Sequence, residues 1–260
     1  MREVDIHELD DRLDPGESIN PGSAHILTSG IADLGIRLDD RQLTQFARFH
    51  AELVDWNSRF NLTRITEWDR AQSNHYLDSL TVALGVPASV LESGRFADVG
   101  SGAGFPGIPM KVAFPGMTGV LIESVGKKAR FLDHIVDVLG LDGLEVRRAR
   151  SEELAHESGY REGFDVVVSR AVGPAQVLAE LTLPFCRIGG LAVLHKSRSA
   201  EDEVEASATA IEAMGGATKS VIDVSVTGLD QGKTLVVIEK VSGTPGRYPR
   251  RPGMPAKRPL

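Results

Sequence analysis

Cysteine, aromatics and long apolar runs are all scarce in this chain, and each scarcity narrows what it can be. A single cysteine, Cys186, among 260 residues forbids an internal disulfide, which fits a reducing cytoplasm. It lies in the apolar stretch LTLPFCRIGG with no adjacent base, so a small core residue is expected there and not a nucleophile. The longest apolar runs, such as residues 191–194, fall far short of the roughly 20 residues that a bilayer-spanning helix needs, so no membrane is expected. The opening MREVDIHELDDRLD has neither a basic start nor an apolar centre, so no cleaved leader is expected. His75, His134 and His156 lack partners spaced as metal ligands, and no metal is expected.

Acids are missing altogether from residues 240–260, which carry Lys240, Arg247, Arg250, Arg251, Lys257 and Arg258. Residues 1–20 show the opposite bias, with seven acids against Arg2 and Arg12. The net charge of −7 therefore hides a basic end, and such asymmetry hints at a polyanionic partner; a merely solubilising terminus is the plainer alternative. Prolines at 245, 249, 252, 255 and 259 oppose helix and central strand, so residues 242–260 are expected to be an extended or adaptable basic tail. Residues 1–30 are expected to form a polar, poorly ordered arm.

What is abundant is glycine at one place, DVGSGAGFPG from Asp98 to Gly107. Residues 95–100 read as a short buried strand, and Gly100, Gly102 and Gly104 let the chain turn tightly and approach a ligand closely, with a helix opening from Phe105. Two registers overlap. Gly102, Gly104 and Gly107 fit the weak G-x-G-x-x-G dinucleotide fingerprint, whereas Asp98 with Gly100, Gly102 and Gly104 fits the D-x-G-x-G-x-G loop of S-adenosylmethionine-dependent methyltransferases. A pyrophosphate prefers helix-end N–H groups with no carboxylate nearby, while S-adenosylmethionine carries no phosphate and two positive charges, so Asp98 argues against a dinucleotide. Glu123 ends the next expected strand, 118–124, about 20 residues beyond the loop, the spacing at which a carboxylate reaches ribose hydroxyls.

Strand and helix then alternate. Leu132, Ile135, Val136 and Leu139 mark an amphipathic helix over 126–139 with Gly140 as its cap, strands are expected at 144–150, 164–170 and 190–196, and helices near 151–157, 174–185 and 201–214. Such units imply a parallel sheet covered on both faces. Residues 219–226 and 233–241 have no helix between them and should form an antiparallel hairpin, the methyltransferase ending. Ahead of the loop, Leu43, Phe46, Phe49, Leu53, Trp56 and Phe60 follow helical spacing with Asp39 or Asp40 as cap; core is expected for these aromatics in preference to a base-stacking platform. A second helix over 69–84 places His75, Asp78 and Ser79 on one face, able to line a pocket or to satisfy one another. The expected organisation is an arm (1–30), a helical subdomain (31–90), an α/β domain (91–241) and the tail (242–260).

In order along the chain, NLTRI from Asn61, NHYLDS from Asn74, DVGSGAGFPGIP from Asp98, ESVGKKARFL from Glu123, RARSEEL from Arg148, SRAV from Ser169 and YPRRPGMPAKRPL at the end resemble the ribosomal small-subunit RNA methyltransferase G family, also called glucose-inhibited division protein B. The likeness runs from about residue 40 to the C-terminus. It implies a class I methyltransferase fold, Rossmann-like and mostly parallel with a C-terminal antiparallel hairpin, preceded by helices, that uses S-adenosylmethionine to methylate guanine N7 in 16S RNA of the small ribosomal subunit. It also implies that Gly100 and Phe105 touch the cofactor, that Ser151 and Glu152 lie near its adenine, and that Arg170 belongs to the site. His195 stands where relatives usually have an aliphatic residue, which puts any role for it in doubt.

Arg170 ends the fourth strand, where amino-group methyltransferases place an Asn/Asp-Pro-Pro-Tyr/Phe motif that is missing here; it can bond guanine O6 or a phosphate, or pair with Asp98 or Glu123 to shape the pocket. No catalytic base is expected, because N7 carries a free lone pair. His75 is a candidate beside the substrate, and Lys127, Lys128, Arg130, Lys196, Arg247, Arg250 and Arg251 are the expected RNA phosphate contacts. A cytoplasmic monomer acting on 16S RNA or the small subunit is expected. A nicotinamide-dependent oxidoreductase and a non-catalytic module that binds both S-adenosylmethionine and RNA remain as rivals.

Overall fold

A computed structural model describes residues 24–170, 173–197 and 200–260. Helix α1 (His25–Asp33) and the long α2 (Asp40–Phe60) come first. Asp39 caps α2: its Oδ1 accepts from Gln42 N at 2.8 Å while Gln42 Oε1 accepts from Asp39 N at 2.8 Å, a reciprocal pairing that satisfies two end donors. Helix α3 (Trp68–Ala71) runs through a π-helical stretch (Gln72–Leu77) into α4 (Asp78–Leu80) and a 3-10 turn (Thr81–Leu84), followed by α5 (Ala88–Ser93).

Then strand and helix alternate: β1 (Arg95–Val99), α6 (Gly107–Ala113), β2 (Thr118–Ile122), α7 (Gly126–Leu139), β3 (Leu144–Arg147), α8 (Ser151–Leu154), β4 (Phe164–Arg170), α9 (Ala175–Thr182), β5 (Cys186–Ser197), α10 (Ala200–Ala206), α11 (Ala208–Ala213), β6 (Gly216–Val224), β7 (Lys233–Lys240) and α12 (Met254–Lys257). The strands form one sheet in the order β3-β2-β1-β4-β5-β7-β6. The first five pair in parallel, while β7 runs antiparallel between β5 and β6. This is the parallel sheet with an antiparallel ending that the sequence calls for.

Period-two alternation explains how both faces are covered. Phe96, Leu121, Val166, Val168 and Val193 face one core with α1, α2, α4, α6 and α7, in which Phe46, Phe49 and Leu53 are fully buried. Ala97, Val99, Ile122, Val167 and Leu194 face a second core with α8, α9, α10 and α11, where Cys186 is buried as a small apolar residue. The helices of 31–90 thus share the first core with the sheet.

Three expectations change. Residues 1–23 of the expected arm lie outside the described residues, but 25–30 are helical and Leu27 is fully buried, because its apolar face packs under the π-helical stretch. The single helix over 201–214 is two, separated at Ser207, whose Oγ bonds back to Glu203 O at 2.6 Å. The tail is folded against the body: residues 244–258 dock on the second face, with Tyr248, Pro249 and Pro255 buried and a short helix at the end. Pro255 is accommodated in the first turn of that helix, where its missing N–H costs nothing, and side-chain anchors order the rest.

Candidate functional site

Parallel pairing sets the carboxyl ends of β1, β2, β3 and β4 side by side, and the glycine turn lies at that edge. Gly100 N and Ser101 N donate to Ile122 O at 2.9 and 3.2 Å, which ties the turn to β2. Gly102 has φ +61, a region L side chains rarely enter, and a Cβ there would meet nothing nearer than Gly100 O at 3.8 Å, so the turn is open on this side. Gly107 is required for another reason: a Cβ would sit 2.7 Å from Asp98 Oδ2 and 2.3 Å from Leu121 Cδ2.

Asp98 is fully buried behind the turn. Its Oδ2 accepts from Gly107 N at 2.9 Å, but its Oδ1 has no hydrogen-bond partner among the described residues. Burial pushes its carboxyl up from an ordinary 3.8 to about 7, opposed by the Gly107 N–H and by the nearby Ser101 hydroxyl, which itself donates to Asp98 O at 2.9 Å. A half-satisfied buried carboxyl is costly to keep, and a ligand ammonium would satisfy it, so the site fits a cationic ligand such as S-adenosylmethionine. Glu123 is buried as well, and its oxygens accept from Gly102 N at 3.0 Å and Val125 N at 2.7 Å. Each oxygen keeps a lone pair, so the same carboxylate that shapes the turn retains acceptor capacity.

Arg170 pairs with neither Asp98 nor Glu123, contrary to the pairing considered from sequence. Its Nη1 donates to Asp78 Oδ2 and to Asn74 O, both at 2.8 Å, because the π-helical stretch and α4 bring these groups over the end of β4. Asp78 is nearly buried, and although burial opposes its charge, His195, Arg170 and Lys233 hold its carboxyl below the ordinary range. His75 stacks on Phe105 at 4.3 Å between centroids, accepts from Arg170 Nη2 at 3.4 Å through Nδ1, and meets Thr63 Oγ1 at 2.9 Å through Nε2. Burial, with Arg170 adding to it, lowers His75 to about 4; burial does the same to His195, whose Nε2 donates to Asp78 O at 3.1 Å. Both rings are neutral at pH 7. Ser79 leaves the expected trio, being fully buried and bonded back to His75 O.

NLTRI acquires a physical role: Asn57 Oδ1 accepts from Leu62 N and Thr63 N at 2.6 and 2.8 Å, which presents Thr63 to His75. Sequence reasoning missed Thr63, Lys233 and the His195 contact, whose only signal was clustering that the fold alone creates. Phe105 is nearly buried and lies under the Arg170 guanidinium, 5.1 Å from its centroid.

The remaining expected residues divide. Ser151 and Glu152 follow β3 at the same edge, but the Glu152 carboxylate turns toward the tail, its Oε1 accepting from Gly253 N at 2.9 Å. Lys127, Arg130, Arg247 and Arg251 are exposed and Lys128 is half-buried; Lys127 Nζ also reaches Phe60 O at 2.7 Å. Two of the expected phosphate contacts already hold partners within the chain: Lys196 donates to Glu203 Oε1 at 2.7 Å and Gly173 O at 2.9 Å, and Arg250 clasps the buried Glu180. Among the described residues there is no cluster of potential metal ligands and no helix long and apolar enough to cross a membrane.

Comparison with known proteins gives concordant results. The family described as rRNA small subunit methyltransferase G matches residues 42–231. A protein of that name from Dehalococcoides mccartyi is 48% identical over 234 residues, covering 90% of this chain and 98% of the relative. Those from Roseiflexus castenholzii and Limosilactobacillus reuteri are 47% and 40% identical over 226 and 231 residues, covering 87% and 88% of this chain and 95% and 96% of theirs. With the glycine turn, the buried acid behind it and the sheet order all in place, likeness over nearly the whole of both chains shows that this chain belongs to the rRNA small subunit methyltransferase G family.

Proposed function

We propose that this chain methylates N7 of a guanine in 16S RNA, with S-adenosylmethionine as donor, at the carboxyl edge of β1–β4. The observation that carries the reading is the unpartnered, buried Oδ1 of Asp98 beside an open glycine turn. Bound there, S-adenosylmethionine supplies an electrophilic methyl group.

Asp98, once ionised, holds the ligand ammonium, and the spare lone pairs of Glu123 take ribose hydroxyls. Phe105 covers the site with apolar surface and excludes water, which strengthens electrostatic contacts within it. Ser151 and Glu152 border the adenine. Guanine N7 needs no proton removed, so orientation and desolvation carry the rate, worth on the order of 7–11 kcal/mol in favourable cases. The neutral rings of His75 and His195 suit this chemistry, because positive charge already spreads from sulfur toward the purine and additional cations would oppose it. The Arg170 charge is offset by Asp78, so its guanidinium can offer a hydrogen bond to an acceptor such as guanine O6 without presenting a bare cation to the purine.

Lys127, Lys128, Arg130, Arg247 and Arg251 supply the electrostatic grip on phosphates, within a single cytoplasmic chain as the active unit. The test incubates the protein with radiolabelled S-adenosylmethionine and small subunits from cells lacking this gene, then maps the label. Label on a guanine N7 supports the reading; absence of label on RNA overturns it.

A further inference from the structure

We propose that the C-terminal segment, residues 244–258, is a strap that fixes the adenine end of the cofactor site and couples that site to RNA. The inference rests on the methyl-transfer reading above.

The inward side of the strap is a built surface. Arg161 donates to Thr244 O at 2.7 Å and to Tyr248 O at 3.0 Å. Arg250 places Nε 2.9 Å and Nη2 2.6 Å from separate oxygens of Glu180, and Arg250 N donates to the same carboxylate at 2.7 Å. Gly253 N donates to Glu152 Oε1 at 2.9 Å. Glu180 and Glu152 are 1% and 8% exposed, so two acids of the second face are withdrawn from water to receive the strap. A terminus that only improves solubility needs neither.

Position gives these contacts their consequence. The edge residues run from the Gly100 turn after β1, to Glu123 after β2, to Arg150–Glu152 after β3, in the order in which a nucleoside would lie across them. Glu152 follows β3 in that row, and its carboxylate is the group that the strap holds. The outward side of the same segment exposes Arg247, Arg251, Lys257 and Arg258, and the segment itself contains no acid. A polyanion that grips those cations therefore biases the position of Gly253, and through it the Arg150–Glu152 turn. Linkage then requires reciprocity: RNA must change cofactor affinity by the factor by which cofactor changes RNA affinity.

The test compares the full chain with the paired variant Glu180→Gln/Arg250→Gln, which removes both charges so that neither is left buried alone. Calorimetry with S-adenosylhomocysteine is run with and without unmethylated 16S RNA, beside thermal unfolding to confirm that both proteins are folded. We expect the variant to bind S-adenosylhomocysteine on the order of tenfold more weakly, and RNA to change that affinity severalfold in the full chain but not in the variant. Equal affinities, or an RNA effect that persists in the variant, overturn the proposal and leave the strap a stabilising element only. Should the variant fail to fold, Lys257→Glu/Arg258→Glu leaves the inward contacts in place; an RNA effect of full size there overturns the coupling, and its loss supports it. A wild-type chain that binds no S-adenosylhomocysteine at all overturns the methyl-transfer reading itself, and the strap with it.

Discussion

Asp98 and Glu180 are both buried acids, one behind the glycine turn and one beneath the C-terminal segment, yet their surroundings differ in kind. Glu180 has both oxygens occupied by Arg250. Asp98 has one oxygen on a backbone N–H and the other on nothing among the described residues. A buried carboxylate with a full set of partners closes a fold, whereas one left half-satisfied keeps acceptor capacity that the fold itself does not use. The same chemical group is thus fully paired within the fold at Glu180 and left with a free acceptor at Asp98.

Substitution breaks this contrast most strongly at the satisfied acid. Arg250→Ala leaves Glu180 charged and buried without its partner and should cost about 3 kcal/mol of stability in denaturant unfolding, with Glu180→Gln/Arg250→Gln costing clearly less. Asp98→Asn should do the reverse: unfolding free energy at pH 7 changes little, while affinity for S-adenosylmethionine in calorimetry drops by about 2 kcal/mol, because an ammonium loses its charged acceptor.

Acidity sharpens the contrast further. Since the folded protein raises Asp98 from 3.8 to about 7, the neutral acid is the form that folding favours, so its contribution to stability is whole below pH 3.8 and fades as pH rises through 7. Ligand binding runs the other way: it needs the ionised form, so affinity should fall by roughly 1.4 kcal/mol per unit below pH 7, and binding at pH 6.5 should release protons in calorimetry across buffers of different ionisation enthalpy. Affinity that is flat from pH 6 to 8 contradicts this. Smallest of all are the surface cations: Lys127→Ala or Arg251→Ala should each reduce the slope of log affinity for RNA against log salt by about 1, whereas Lys196→Ala should leave the slope unchanged because Glu203 already neutralises it.

Local pattern made most of the fold legible. The Asp98–Gly107 turn, the α7 periodicity with Gly140 as its left-handed cap, and the strand-strand ending at β6 and β7 are each written in a short continuous stretch, and each came out close to where spacing put it. Of the candidate site, the sequence showed the glycine turn and the two acids that the fold brings beside it. It was not legible in its pairings. Nothing in VVSRAV says that Arg170 will meet Asp78, 92 residues earlier, and nothing in KRPL or RRPG says which arginine is spoken for.

By itself, then, the sequence determined the order of the strands and of the helices between β1 and β5, the two apolar faces of the sheet and the glycine turn with an acid behind it, since these follow from backbone conformation and hydrophobic period, which act between near neighbours. Tertiary structure alone decided which charges are consumed: Arg250 by Glu180, Lys196 by Glu203, Arg170 by Asp78, and Asp98 by no described residue. The physical reason is that a charged side chain's partner is set by whatever long-range packing brings within about 3 Å, and burial, which makes the pairing matter, exists only once the chain has closed around it.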